Sequence, residues 1–178
     1  MDAPAHVRPA TGADVTAIAE VQARTWRAAY ADRVPAEALD GLTPAGLAAR
    51  WAAAIAAPPS PAHRVLVAVD GLLVAGFAAV APAAEPDLGP DAAAGELLVL
   101  VVDPRAARQG HGSRLMHAAV DHLRGDGCRL GLAWVLSTDD ALRGFLTSAG
   151  WAPDGAWREL DTGSGATITQ IRMHTTLA

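Results

Sequence analysis

Glu96-Leu-Leu-Val-Leu-Val-Val-Asp-Pro104, followed after three residues by Arg108-Gln-Gly-His-Gly-Ser-Arg-Leu-Met116, is the stretch whose reading decides the fold. An apolar run of strand length closes at Asp103-Pro104. Gly110-His111-Gly112 then leads directly into Leu115, Met116, Ala119, Val120 and Leu123, which recur at helical spacing. Glycines let a ligand approach the backbone. A helix start offers unpaired N–H groups and the positive end of the helix dipole. The geometry suits a phosphate or pyrophosphate, and Arg105, Arg108 and Arg114 stand there against one acid, Asp103. The same residues are also compatible with a tight turn that binds nothing. A dinucleotide fingerprint needs a third glycine, and that position is Leu115.

Outward from this unit, Val7–Pro9 reads as a strand, and Thr11 with Asp14 as the cap of a helix carrying Val15, Ile18, Ala19, Trp26, Ala29 and Tyr30 on one face. Pro35 opens a short helix ending near Gly41, and Thr43-Pro44 caps another over Leu47–Ile55. Arg64–Val69 and Leu72–Val80 form a hairpin about Asp70-Gly71. Cys128–Leu136 is a strand, and Ser137-Thr138-Asp139-Asp140 starts a helix ended by Gly150. Trp157–Asp161 and Thr167–Thr175 close the chain as a hairpin across Thr162–Gly165. With the short Pro35–Gly41 helix left aside, the order β-α-α-β-β-β-α-β-α-β-β is that of one mixed α/β domain spanning residues 1–178.

Composition narrows the function. All 14 basic residues are Arg, with no Lys and no Asn, in keeping with a GC-rich bacterial source. Without lysine there is no Walker A loop, Schiff base or pyridoxal site. A net charge of −5 with scattered Arg argues against nucleic-acid binding. A single cysteine, Cys128, makes no internal disulfide or cysteine zinc site and reads as packing. No run reaches the roughly 20 apolar residues of a membrane span, and Met1–Pro9 is no signal peptide, so a cytoplasmic protein without membrane partners is expected. The histidines lack ligand spacing; His111 and His122 would lie roughly 16 Å apart along one helix, so no metal is expected.

The glycine segment resembles the acetyl-CoA-binding motif of the GCN5-related N-acetyltransferase (GNAT) superfamily. Val7-Arg8-Pro9-Ala10 with Asp14-Val15 resembles the family's opening. Thr25-Trp26-Arg27-Ala28-Ala29-Tyr30 with Pro35 and Leu39 resembles its first-helix region, and Ala149-Gly150-Trp151 the end of its last helix. The resemblance covers about Val7 to Thr175. It implies a twisted mixed sheet splayed between the fourth and fifth strands, with acetyl-CoA in the splay and no metal. Leu100, Val101 and Val102 would pair with pantetheine through their backbone. Arg108, Gln109, Gly110, His111, Gly112 and Ser113 would hold the pyrophosphate, and Asp139 would accept from a pantetheine N–H. Glu96 would be the general base, and Trp26 and Tyr30 would wall the acceptor pocket. The implied reaction is direct attack of a small-molecule or peptide amine on the thioester in a ternary complex; homodimers are common in the family. Three departures stand out: Ala107 where the loop usually begins with Gln or Arg, Asp139 where Asn is frequent, and Leu146 where many members place the tyrosine that protonates the leaving thiolate. Leu146 leaves a second reading, an acyl-CoA-binding regulatory module without turnover; a third is a nucleotide-binding protein using the same loop.

Overall fold

The capping pattern at the start of the chain forms as the spacing predicts. Asp14 accepts from the Thr11 N–H at 2.8 Å and from its hydroxyl at 2.9 Å. It also takes both arms of the Arg8 guanidinium, each at 2.8 Å. This ties β1 (His6–Pro9) to α1 (Val15–Tyr30). The computed structural model describes residues 4–30, 43–89, 91–161 and 167–177. The short helix expected over Pro35–Gly41 and the turn at Thr162–Gly165 lie outside them.

Thr43 caps α2 (Pro44–Ala56) by accepting from the Gly46 N–H, with proline in the first turn where its missing donor costs nothing. β2 (Arg64–Asp70) and β3 (Leu73–Pro82) pair so that Asp70 faces Leu73. The turn is therefore Gly71-Leu72, one residue later than expected, because the positive φ of +58° falls to Gly71 as its first residue. β4 (Ala94–Val102), α3 (His111–Gly125), β5 (Leu130–Leu136) and α4 (Asp140–Ser148) follow. Cys128 precedes β5 instead of lying within it, and burial pushes its thiol up. β6 (Ala152–Asp161) begins five residues earlier than the sequence suggests, with an irregularity between Pro153 and Trp157, and pairs with β7 (Thr167–Thr176).

The seven strands form one mixed sheet in the order β1-β2-β3-β4-β5-β7-β6, with β4 and β5 parallel. α3 and α4 cover one face, where Leu97, Leu115, Met116, Leu123, Val135, Leu146 and Met173 form the main core. α1 packs on the other face of the β1–β4 half, burying Ile18 and Val21 against Val67, Phe77 and Val101. A bulge in β4 makes both cores possible. Leu97 pairs with Val80 and Val99 with Ala79, so Leu98 is left over and the alternation of faces is reset. Leu97 therefore points to α3, and Val99 and Val101 to α1. α3 can lie close on β4 because residue 95 is glycine; a Cβ there would overlap the Leu123 side chain. No described helix is long and apolar enough to cross a membrane.

Candidate active site

β4 and β5 are paired only from Ala94–Glu96 to Leu130–Leu132. Beyond that they diverge, and β4 from Leu97 onward has no partner on its β5 side. Right-handed twist and the Leu98 bulge drive the strands apart. The gap is a cleft of about 940 Å³. Leu100, Val101, Val102, Arg108, Gly110, His111, Gly112, Ser113, Asp139, Trp26 and Tyr30 all border it, so the structure gathers most of the expected site residues around one space. Two stand apart. Glu96 occupies the vertex, at the last paired position, and Gln109 is exposed, its carbonyl accepting from Arg114 Nη1 at 3.0 Å.

The loop before α3 reverses its backbone twice. Arg108 and Gly110 are both left-handed, at φ 64° and 82°, and such reversals turn successive N–H groups to one side. A non-glycine residue in that region is strained, a state that persists where surrounding structure enforces it. Gly112 lies in the first turn of α3. A Cβ on it would stand 3.6 Å from both Phe145 Cζ and Val102 Cγ2, so the missing side chain leaves cleft space open at the helix start. The His111 imidazole is buried, Nε2 3.7 Å from Asp70 Oδ2 at the end of β2. Asp103, also buried, anchors the loop entrance by accepting from Arg24 of α1 at 2.5 Å and from Arg105 at 2.8 Å; the Arg105 hydrogen bonds foremost, and the Arg24 charge after them, hold its carboxyl below the usual range against the cost of burial.

Glu96 is half-buried. Burial raises its carboxyl above the ordinary value; Glu85 raises it further, and Arg158 opposes both. The groups around it were not legible in the sequence. Glu85, in the β3–β4 connection, accepts from the Trp134 indole at 2.7 Å and pairs with Arg172 at 3.4 Å. Arg172, buried on β7, also binds Asp87 at 2.5 Å and Asp154 at 2.7 Å. The alternation on β5 and β7 is the signal that could have found them: Trp134 pairs with Arg172, and Leu136 with Gln170, on the face opposite the main core.

The aromatic residues of α1 and α2 divide. Trp26 and Tyr30 meet edge-to-face at 6.0 Å at the cleft wall. Trp51 instead packs on Phe77 at 5.1 Å and donates to Gln22 at 2.7 Å, holding α2 to α1. Tyr30 donates to Asp139 Oδ2 at 2.8 Å, while Asp139 Oδ1 caps α4 through the Leu142 N–H. Leu146 is fully buried at the cleft wall and belongs to the main core.

Residues 18–151 match the model of the Acetyltransferase (GNAT) family. The chain belongs to the GNAT acetyltransferases, and its sheet, splayed after a parallel β4–β5 pair, is the fold of that family. Among solved structures it resembles PaiA N-acetyltransferase from Thermoplasma acidophilum in complex with coenzyme A, at 16% identity and TM-score 0.72, covering 98% of this chain and 99% of that one. It also resembles YncA from Salmonella typhimurium with its cofactor acetyl-CoA, at 20% identity and TM-score 0.69, covering 99% and 95%. The ribosomal-protein-alanine N-acetyltransferase from Brucella melitensis is similar at 19% identity and TM-score 0.73, covering 96% and 98%. No curated protein matches the sequence.

Proposed function

We propose that this protein transfers an acetyl group from acetyl-CoA to an amine, by direct attack in a ternary complex. The observation that carries the reading is the opening of β4 from β5 just past Glu96. It leaves an unpaired strand edge and a glycine loop bordering one cleft, with a partly desolvated carboxylate at its vertex.

The unpaired edge of β4 over Leu100–Val102 offers backbone groups to the pantetheine amides, as an added strand would. The N–H groups from Gln109 to Ser113, with the start of α3, take the pyrophosphate. Acetyl-CoA supplies the thioester. Glu96 takes a proton from the acceptor ammonium, whose ordinary pKa near 10.4 keeps it protonated at neutral pH; a carboxyl raised by burial is a better match for that task than an exposed one. The amine nitrogen then bonds to the carbonyl carbon, the carbon–sulfur bond breaks, and coenzyme A departs as thiolate. With leucine at 146 the thiolate is protonated by water or by the proton leaving the amine.

The test is acetyl-CoA-dependent release of free thiol across an amine panel. Release above the amine-free rate is expected. Coenzyme A binding without release for any amine would favour the regulatory module.

A further inference from the structure

The face of the sheet that carries Glu96 continues across β5, β7 and β6. Cross-strand partners project to the same side, and the chain of pairs Glu96–Leu132, Trp134–Arg172, Leu136–Gln170 and Gln170–Arg158 puts these side chains on one surface. No described helix covers this part of the sheet, and Trp134 and Gln170 border the cleft.

Two guanidiniums lie over the Trp134 ring, and they differ. Arg172, 5.6 Å from the ring centre, is saturated by Glu85, Asp87 and Asp154. Arg158 stacks 4.2 Å over the same ring and donates through Nε to Gln170 Oε1 at 2.8 Å. Among the described residues its two terminal nitrogens have no hydrogen-bond partner and it forms no salt bridge, although its charge is felt at Glu96. The side chain is thus oriented on two sides, with much of its conformational freedom already lost, and its forked end is left open. That is the form in which arginine recognises a carboxylate bidentately.

We propose that the acceptor bears a carboxylate as well as an amine, as an α-amino acid does, and that Arg158 receives that carboxylate while the amine is directed to Glu96. This rests on the acetyl-transfer reading and narrows it. The two ends of the acceptor meet opposite charges, the ammonium the Glu96–Glu85 side and the carboxylate the guanidinium over Trp134. The acceptor is thereby fixed in one direction along the sheet, its nitrogen toward the vertex of the cleft. An amine lacking the anionic end would lose the orienting contact and enter with higher KM.

Standard α-amino acids, each beside its α-carboxamide, test this in two assays: thiol release with acetyl-CoA, and calorimetric binding to the coenzyme A-loaded protein. At least one amino acid is expected to exceed its carboxamide by about tenfold in kcat/KM, mainly through KM, as loss of a charged hydrogen-bonded contact implies. Arg158→Gln should erase that preference: Arg158 also opposes the rise of the Glu96 carboxyl, so a shift of the acid limb falls on both substrates alike, and the acid-to-carboxamide ratio read on the pH plateau should fall toward one; Arg158→Lys should restore part of it. Carboxamides equal to their acids in the wild type, or an Arg158→Gln loss equal for both, would overturn the proposal. Carboxylate-dependent binding that disappears in Arg158→Gln, without turnover, would uphold the subsite and remove the acetyl-transfer reading. Absence of both binding and turnover for every acid would remove the subsite itself.

Discussion

Tyr30 and Asp139 stand 109 positions apart in the chain, yet the phenol donates to the carboxylate at 2.8 Å. Tyr30 ends the helix packed on one face of the sheet, and Asp139 begins the helix packed on the other. Their bond therefore crosses the opening between β4 and β5 and ties the two arms of the cleft together. Tyr30 is the one tyrosine in the chain, and its proton is committed to Asp139.

Removing the phenol hydroxyl tests that tie. Tyr30→Phe should destabilise the ligand-free protein by about 1 kcal/mol, the scale of one hydrogen bond to a charged group that is partly accessible. Thermal unfolding with and without coenzyme A measures it. The loss should shrink when coenzyme A bridges the same arms; an equal loss in both states would mean the bond does not span the ligand site.

Gly112→Asp should abolish the rise in melting temperature produced by coenzyme A in the wild type. The position is helical, and a Cβ there makes ordinary contacts with Phe145 and Val102, so the variant should fold. What it adds is a carboxylate where the glycine loop meets the cleft. A folded variant still stabilised to the wild-type extent would move the cofactor site elsewhere.

Glu96→Gln should reduce the rate by roughly 10²-fold or more near neutral pH, with coenzyme A affinity little changed and activity recovering at high pH. The pH profile gives a second check. A base works when deprotonated, and burial and Glu85 raise the Glu96 carboxyl, so the acid limb of kcat/KM should lie above the ordinary carboxylate range. Glu85→Gln removes a neighbouring negative charge. It should lower the Glu96 pKa and move that limb to lower pH; an unmoved limb would assign the base to another group.

Leu146→Tyr places a larger ring where the present side chain is fully buried. Overpacking of this kind costs about 1–3 kcal/mol, and a lower melting temperature is expected. Below that temperature, turnover should be no lower than in the wild type, since a thiolate leaves with little help. A severalfold loss of turnover in the folded, coenzyme A-binding variant would show that Leu146 shapes the acyl end of the cleft.

Asp14 has its carboxyl drawn down to about 2, first by the Arg8 hydrogen bonds and then, against the cost of burial, by Thr11. A folded value below the unfolded one means stability present above about pH 4 and lost as pH falls toward 2. Asp14→Asn should cost about 1–2 kcal/mol at pH 7, discounted for the accessible Arg8 side, and should flatten stability over that acid range. Urea titrations at pH 7 and pH 3 on both proteins would measure it.

Local chemistry made much of this protein legible in its sequence. Capping at Thr11–Asp14 and Thr43-Pro44, the glycine turn into α3 and the left-handed Gly150 depend on neighbours a few residues away. Helical and strand periodicity identified the elements, and the glycine loop marked the turn into α3 that borders the cleft, for the same reason. Where sequence reading slipped, at the Gly71-Leu72 turn and the early start of β6, register with a partner strand decided the outcome. The tertiary structure alone decided how wide β4 and β5 open, that Trp51 serves the α1–α2 packing and not the cleft, and that Tyr30 meets Asp139. It also assembled Glu85, Trp134, Arg158 and Arg172 beside Glu96 from four separate segments. Such contacts join residues tens of positions apart, and their geometry depends on sheet twist, a one-residue bulge and strand register, which no short window of sequence contains.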